Sequence, residues 1–250
     1  MKTKLKHNGF SLTEVLMAVG ILSVGMMLIA TMFPVGIYLT SVAAERTMAA
    51  IVSDEAIAKI QLYGIVDPCN DPCSCFDYEE GLVVAGRIDP NEFSYPPVDP
   101  CTATRQYYWS ALYKKMDSNP ADREYLITVF VARKTNPNLT YPDGGDGGKR
   151  PKAIRLREVN QTGLKDDELR ITEPNQIREV NPPTTILNNA SGRLYRVVDR
   201  EVADSNIIKL DRIWTEDMNN SSQRYIWLVP PPETGGRNAD IEVYQRIIRF

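Results

Sequence analysis

The sequence predicts an α+β protein: a long amino-terminal transmembrane helix packs through its carboxyl half on an antiparallel β-sheet, and an extended β-rich region follows. Three observations predict this fold class. The segment Val15–Leu39 carries no charge over 25 positions, more than the roughly 20 residues that cross about 30 Å of hydrocarbon. A helical pattern continues over Thr40–Tyr63, up to Gly64. Beyond Gly64, strand-length apolar runs alternate with clusters of Gly, Asn, Pro and Asp.

Composition and charge exclude several classes of function. The 250 residues are 43% hydrophobic and 24% charged, enough for one large or two small domains with a real core. A net charge of −3 argues against a nucleic acid partner, which usually requires a basic surface. His7 is the only histidine, and none follows Gly9, which excludes histidine-dependent catalysis and His-ligated zinc or haem there. We predict no catalytic residue and no cofactor.

The amino-terminal segment has the charge pattern of a membrane anchor. Three lysines precede the apolar run, so the amino terminus should stay cytoplasmic and the rest of the chain should face outward. A buried core helix is one alternative, but such helices rarely run this long without a polar face. A cleaved secretory signal is another, because Val42–Ala44 before Glu45 resembles a small-residue cleavage site. The apolar run is, however, longer than the roughly 7–15 residues usual for a signal core.

Glu14 is an acidic residue at the start of the apolar run, and its charge needs an explanation. A carboxylate costs up to roughly 2.5–3.5 kcal/mol at the bilayer centre and less near the interface. Acids in membranes usually have a cationic partner, but no Lys or Arg lies between Lys6 and Glu45. The partner must therefore come from another molecule or from a charge that processing creates. A local alternative is a capping box, because Ser11–Glu14 (SLTE) fits the S-x-x-E pattern of a helix start.

The stretch KHNGFSLTEVLMAVGIL resembles the class III leader of type IV pilins and type II secretion pseudopilins. In that pattern a short basic leader ends in Gly. It is followed by Phe, a hydroxyl or small residue, Leu, another small or hydroxyl residue, Glu and a long apolar run. The resemblance covers about residues 1–30 strictly and 1–60 loosely. The matching residues are Gly9, Phe10, Leu12, Thr13 and Glu14.

The resemblance implies that prepilin peptidase, a membrane-embedded enzyme, cleaves between Gly9 and Phe10 and methylates the new amino group of Phe10. An α-amine has an unperturbed pKa near 7.7–8.0, so it would be largely cationic at neutral pH. The resemblance further implies that Glu14, then the fifth residue of the chain, pairs with the amine of a neighbouring subunit. The same carboxylate would fix the axial register, because a misplaced subunit leaves a charge unpaired in apolar surroundings.

A subunit of this kind has partners in the cell envelope. The implied partners are other pilin or pseudopilin subunits, the prepilin peptidase and an inner-membrane assembly platform, and no nucleic acid is expected. The implied location is the bacterial inner membrane, which the chain would cross once. Its carboxyl-terminal domain would lie in the periplasm or in an extracellular filament.

The predicted domain order follows from these segments and is pilin-like. Pro34 is expected to kink the helix inside the apolar run, because proline removes one backbone hydrogen bond. The segments are the leader 1–9, the transmembrane and filament-core helix 10–39, its continuation 40–63 on the globular domain, and the extracytoplasmic β-rich domain 64–250 with a candidate subdivision near 142–151.

The second half of the helix should pack on a sheet. Met48, Ile51, Val52 and Ala56 form one apolar stripe, and Ile57 and Ile60 are expected to lie to one side of it. Glu55 and Lys59 have the i,i+4 spacing of an ion pair on the helix surface, which contributes a few tenths of a kcal/mol.

Several strands are predicted after the helix. Glu124–Lys134 is apolar on both faces and should be a central strand, with Arg105–Tyr113 as its antiparallel neighbour. The other predicted strands are Leu82–Ile88, Ala153–Glu158, Glu168–Thr172, Arg193–Val202, Asn206–Asp211, Arg224–Val229 and Asp240–Phe250.

Four cysteines, Cys69, Cys73, Cys75 and Cys101, are disulfide candidates because the predicted topology places them in an oxidising compartment. Four cysteines allow three pairings, of which Cys73–Cys75 is the least favourable because the two residues are too close for a relaxed bridge. A four-thiolate metal site and free thiols remain alternatives, although the spacing departs from paired C-x-x-C zinc knuckles.

One acidic, glycine-rich stretch is a weak candidate for calcium. Asp143 and Asp146 lie in PDGGDGG, where carboxylate and carbonyl oxygens could ligate Ca²⁺. The stretch lacks the EF-hand pattern, and two acids are few. A flexible glycine-rich turn is the alternative, and we predict no metal elsewhere.

The resulting hypothesis is a structural subunit, a minor pseudopilin or pilin of a type II secretion or type IV pilus-like filament, and not an enzyme. The large, loop-rich domain favours a minor subunit, since major subunits pack in many copies and tend to be compact. One alternative is a minor pilin of an adhesion or DNA-uptake pilus, which a basic groove would favour. Another is a membrane-anchored extracytoplasmic enzyme or binding protein, which a pocket lined by carboxylates of shifted pKa would favour.

Overall fold

The computed structural model describes residues 11–63, 90–96, 106–116, 124–142, 145–156, 159–173, 175–200, 206–215, 225–236 and 238–250. The chain divides into two compact units, Met1–Glu45 and Arg46–Phe250. The described part of the first unit belongs to one long helix. The second unit holds the rest of that helix and the described strands. The predicted strand Leu82–Ile88 lies outside the described residues.

The described secondary structure confirms the predicted α+β class. Helix α1 spans Leu12–Tyr63, α2 is a single turn at Gly145–Gly148, and 3₁₀ turns lie at Pro90–Phe93 and Gln176–Glu179. The strands are β1 Ser94–Tyr95, β2 Tyr107–Lys115, β3 Glu124–Arg133, β4 Ile154–Leu156, β5 Val159–Asn160, β6 Glu168–Ile171, β7 Thr185–Asn188, β8 Leu194–Arg200, β9 Ile207–Leu210, β10 Ile226–Leu228 and β11 Asp240–Arg249.

The carboxyl half of α1 packs on a sheet through one apolar stripe. Val52 and Ala56 are buried, as predicted, but Met48 is half-buried and Ile51 is 43% exposed. Ala49 is buried instead, and Ile57 and Ile60 lie in the buried face rather than to one side of it. The sheet therefore contacts a helix face slightly rotated from the predicted one. The buried residues recur at intervals of three and four, the period of one helix face. They are Ala49, Val52, Ser53, Ala56, Ile57 and Ile60.

Lys59 fastens the end of α1 to the 3₁₀ turn at Pro90–Phe93. Its Nζ lies 2.7 Å from Glu55 Oε1, which confirms the predicted i,i+4 pair. The same Nζ donates to the carbonyl oxygen of Glu92 at 2.9 Å. Tyr63 donates its hydroxyl to Glu92 Oε1, and Trp109 donates Nε1–H to the Glu92 carbonyl. Glu92 thus joins the helix to the sheet.

The first sheet has the strand order β1–β2–β3–β11 and is antiparallel throughout. The prediction that β3 is central, with β2 as its neighbour, is confirmed. Alternate residues of β3 point to opposite faces, and both faces are buried. The α1 face carries Tyr125, Ile127, Val129 and Val131, and the other face carries Phe130 and Ala132.

The second sheet has the order β4–β10–β7–β8–β9–β6–β5 and is inserted in the sequence between β3 and β11. Its two edge strands, β4 and β5, are consecutive in the chain. Leu156 and Val159 are three residue steps apart, so they lie within about 11 Å of each other at 3.8 Å per step. The sheet must therefore curl like an open barrel. Both residues belong to its own buried core, in which the rings of Tyr195 and Trp214 lie 4.6 Å apart.

The two sheets share a third buried cluster. Leu112 and Phe130 of the first sheet meet Leu187 and Trp227 of the second. The Trp227 indole is fully buried, and its Nε1–H donates to Asn189 Oδ1 at 2.7 Å. The first sheet is therefore covered by α1 on one face and by the second sheet on the other.

The segment between β3 and β4 is fastened by Lys134. This buried side chain donates from Nζ to the carbonyl oxygen of Lys149 at 2.5 Å. Burial, together with the nearby Lys149, lowers the pKa of the Lys134 amine. Both sheets lie in the unit Arg46–Phe250, and a domain division near 142–151 stays a prediction.

Gly148→Ala should destabilise this segment more than Gly147→Ala. Both glycines have positive φ, +85° and +67°, which costs roughly 1–2 kcal/mol for another residue. A Cβ at Gly148 would lie 3.1 Å from the backbone oxygen of Tyr141, whereas one at Gly147 meets nothing within 4 Å. We expect losses of about 2–3 and about 1 kcal/mol, respectively, because overpacking adds to the φ cost only at Gly148. Denaturant unfolding of the full chain in detergent micelles measures both, and equal losses would contradict the crowding.

Candidate functional site

The candidate functional site is the amino-terminal turn of α1. Helix α1 begins at Leu12, and the carbonyl oxygen of Ser11 accepts the amide hydrogens of Glu14 at 3.0 Å and Val15 at 3.2 Å. Glu14 is thus the third residue of the helix, where a carboxylate favours the positive end of the helix dipole. The Ser11 hydroxyl lies 2.5 Å from the Thr13 hydroxyl.

The Glu14 side chain is exposed. Among residues 11–63 and the described residues of the β domain, it makes no hydrogen bond or ion pair of its own. The pairing of Glu14 with a neighbouring subunit remains a prediction. The local sequence places the carboxylate at the helix start, but a partner for it must be supplied from elsewhere.

The first half of α1 presents apolar side chains on every side. Each residue from Leu12 to Thr40 is exposed, apart from the half-buried Gly25. Met17 and Ile21 are about three-quarters exposed, and so is Met32. This pattern differs from the stripe of the second half, where polar residues cover the open side. A helix that is apolar all round is suited to lipid or to other helices. Among the described residues, α1 is the one helix long and apolar enough to cross a membrane.

The hydroxyl groups of this segment are satisfied within the helix. Ser23 Oγ donates to the Val19 carbonyl, and Thr40 Oγ1 donates to the Gly36 carbonyl, both at 2.8 Å. Thr31 Oγ1 likewise donates to the carbonyl oxygen of Leu28. In hydrocarbon, unsatisfied polar groups cost several kcal/mol each, by order of magnitude. These bonds leave the Glu14 carboxylate as the charged group that a membrane must accommodate.

Pro34 lies inside α1, which continues through it. Proline provides no amide hydrogen for the carbonyl four residues earlier, and a kink at this position stays a prediction. A shallow apolar groove lies on this part of the helix. It is lined by Ile29, Met32, Phe33, Gly36, Ile37, Thr40 and Ser41.

Other predicted site residues lie outside the described residues. These are the cleavage pair Gly9 and Phe10, the calcium candidate Asp143, and the disulfide candidates Cys69, Cys73, Cys75 and Cys101. The backbone of Asp146 belongs to the short turn α2. The described residues contain no cluster of three or more His, Cys, Asp or Glu side chains that could hold a metal ion.

Among the described residues of the β domain, few ionisable groups have a shifted pKa. Burial raises the pKa of Tyr141 to about 12, and its ring is part of the cluster between the two sheets. Burial lowers the pKa of the Lys134 amine, which donates to the carbonyl oxygen of Lys149 in the segment between β3 and β4. Sequence reasoning missed two polar groups of the fold, Glu92 and Asp240. Each is placed by residues distant in sequence, so no local signal marks it.

Comparison with known proteins identifies the amino terminus. The prokaryotic N-terminal methylation motif matches residues 4–30. The chain therefore carries this motif, which is consistent with a type IV pilin or pseudopilin class III leader. No curated protein and no solved structure matches the chain significantly. The motif supports a type IV pilin-like or pseudopilin protein, with membrane anchoring, processing by prepilin peptidase and assembly with other pilins.

Proposed function

We propose that this chain is a minor pilin-like subunit of a type II secretion or type IV pilus-like filament. The observation that carries the proposal is the methylation motif at residues 4–30, which extends into a helix whose first half is apolar on every side. A basic leader before such a helix favours a single pass, with the β domain outside the cytoplasm. The role is structural: the helix enters the filament core and the β domain is displayed.

The amino-terminal turn gives assembly its physical basis. Hydrolysis of the Gly9–Phe10 peptide bond creates an α-amine about one helical turn from Glu14. In the membrane the carboxylate is unfavourable without a cation, whereas in the filament the amine of an adjacent subunit neutralises it. Entry of a subunit in correct register is therefore favoured over entry one step out of register.

The size of the β domain supports a minor rather than a major subunit. Among the described residues, it adds a seven-stranded second sheet to the four-stranded sheet that packs on α1. A module of this size on each subunit would crowd a filament built from many copies. A few copies at or near the tip have room for it. The disulfides, the Pro34 kink and the domain boundaries given above belong to the same proposal.

Intact-mass analysis of the chain from a bacterial host with prepilin peptidase tests the proposal. We expect a polypeptide that begins at Phe10 and carries one additional methyl group. The same host without the peptidase should yield the uncleaved chain, and Gly9→Val should remain uncleaved in both hosts. A bulky Cβ would hinder the close approach of the backbone to the peptidase. A mature chain that begins at Glu45 would overturn the proposal in favour of a secretory signal.

A further inference from the structure

The point where the chain returns from the second sheet to the first is a polar joint. Asn238 Nδ2 donates to the carbonyl oxygen of Asn181 at 2.5 Å and to Thr184 Oγ1 at 2.8 Å. Two residues later, at the start of β11, Asp240 Oδ2 accepts the backbone amide hydrogen of Thr185 at 3.2 Å. Thr185 begins β7 in the second sheet. These bonds join the entrance of β11 to the entrance of β7.

Two oxygens of this joint are buried without a hydrogen-bond partner among the described residues. They are Oδ1 of Asp240 and Oδ1 of Asn238. Asp240 as a residue is half-buried, but its carboxyl group is shielded from solvent. An ionised carboxylate with one unsatisfied oxygen is costly in such a place, whereas the protonated group buries no net charge.

The charged groups around Asp240 offset this cost only in part. Arg196 on β8, which pairs with Thr185, attracts the carboxylate, while Glu242 on β11 repels it. Glu242 has its own partner in Arg46 of α1, at 3.8 Å. On β3, the backbone amide of Arg133 donates to the carbonyl oxygen of Ala239. Burial dominates and raises the pKa of Asp240 to about 7, against the hydrogen bonds from the backbone and the side chain of Thr185 and the attraction of Arg196.

We propose that Asp240 is a pH-sensitive latch, which holds the second sheet on the first when its carboxyl group is protonated and loosens that joint when the group is ionised. The direction follows from linkage. The closed joint binds the proton more tightly than the open joint, in which Asp240 reaches water and has its ordinary pKa of 3.8. The stability of the joint is therefore complete below that ordinary pKa. It falls as the pH rises toward 7 and is constant above it.

Hydrogen exchange of the full chain in detergent micelles tests the latch between pH 5 and pH 8. The measured quantity is the protection factor of peptides covering Thr185–Asn188 and Asn238–Glu242, corrected for the intrinsic pH dependence of exchange. Opening should increase tenfold per pH unit up to the pKa of about 7, so protection should fall by about a hundredfold over this range. A peptide covering Ile127–Val131 in β3 is the internal reference and should change much less.

Two variants sharpen the test. Asp240→Asn imitates the protonated carboxyl group at every pH, so the protection of the joint should no longer depend on pH. Asp199→Asn removes an exposed carboxylate of β8 and should retain the wild-type profile. The proposal is overturned if wild-type protection at the joint falls no more than at Ile127–Val131, a comparison that needs no variant. It is also overturned if Asp240→Asn keeps the wild-type fall.

Discussion

Replacing Glu14 with glutamine is expected to leave the chain processed and inserted in the membrane, but to lower its recovery in filaments at least tenfold. The substitution keeps the size and hydrogen-bonding capacity of the side chain and removes its charge. Charge pairing with an adjacent amine requires the carboxylate, and a lost pair in apolar surroundings costs on the order of 3 kcal/mol, more than a factor of ten.

The glutamine variant also distinguishes the two proposed roles of Glu14, which are capping of the helix start and charge pairing with a neighbouring amine. A capping box accepts Glu or Gln at the third helical position, so Glu14→Gln preserves capping and abolishes pairing. Glu14→Ala removes both. If pairing matters, the two variants assemble equally poorly. If capping suffices, Glu14→Gln assembles like the wild type and only Glu14→Ala fails.

The measurement compares membrane-bound and sheared filament fractions by immunoblot, with intact mass as a check on processing. Ser11→Ala is a matched control for the capping turn, because it removes the Ser11–Thr13 hydroxyl contact and keeps the carboxylate. We expect Ser11→Ala to assemble within a fewfold of the wild type. Wild-type assembly of Glu14→Gln would show that no charge pair forms.

Replacing Trp227 with alanine is expected to lower the free energy of unfolding of the β domain by about 3–5 kcal/mol. The indole is fully buried between the two sheets, so its removal leaves a large cavity. The hydrogen bond from Nε1 to Asn189 is lost as well. Native proteins typically have free energies of unfolding of only about 5–15 kcal/mol, so this loss would be a large fraction of the stability of the domain. Denaturant unfolding of the full chain in micelles, followed by circular dichroism, measures the loss.

A pair of tryptophan-to-phenylalanine variants isolates the hydrogen bond. Trp227→Phe keeps most of the ring packing and removes the bond to Asn189, so it should cost about 1–2 kcal/mol beyond packing. Trp214 is also buried, but its Nε1 has no hydrogen-bond partner among the described residues. Trp214→Phe should therefore cost less. Equal losses for the two variants would contradict a stabilising role of the Trp227 bond.

The sequence predicted the elements that carry long, regular patterns. Helix α1 follows from an uncharged run and its amphipathic continuation. Strand β3 follows from apolar residues on both faces. Strand β7, TILN, was missed because it is four residues long and lies between Pro182–Pro183 and Asn189. Strand order and the curl of the second sheet depend on which distant segments pair with each other. Local sequence patterns carry little information about that pairing.

The same division applies to the site. Glu14 lies in the first turn of α1, where the local S-x-x-E pattern predicts it, and its role in assembly stays a prediction. The contact from Lys59 to Glu92 spans 33 residues, and the contact from Asp240 to Thr185 spans 55. The burial that gives these groups their properties arises only when the sheets pack. Lys59, Glu92 and Asp240 are charged residues of the kind found on most protein surfaces, so the sequence alone does not mark them as buried contacts.

The insertion of the second sheet between β3 and β11 has a consequence for sequence variation. Strand β11 pairs with β3 along almost its whole length, so the backbone hydrogen bonds between these two strands do not depend on the second sheet. Substitutions inside the second sheet's own core therefore leave this ladder in place, whereas substitutions in the cluster shared by the two sheets affect both.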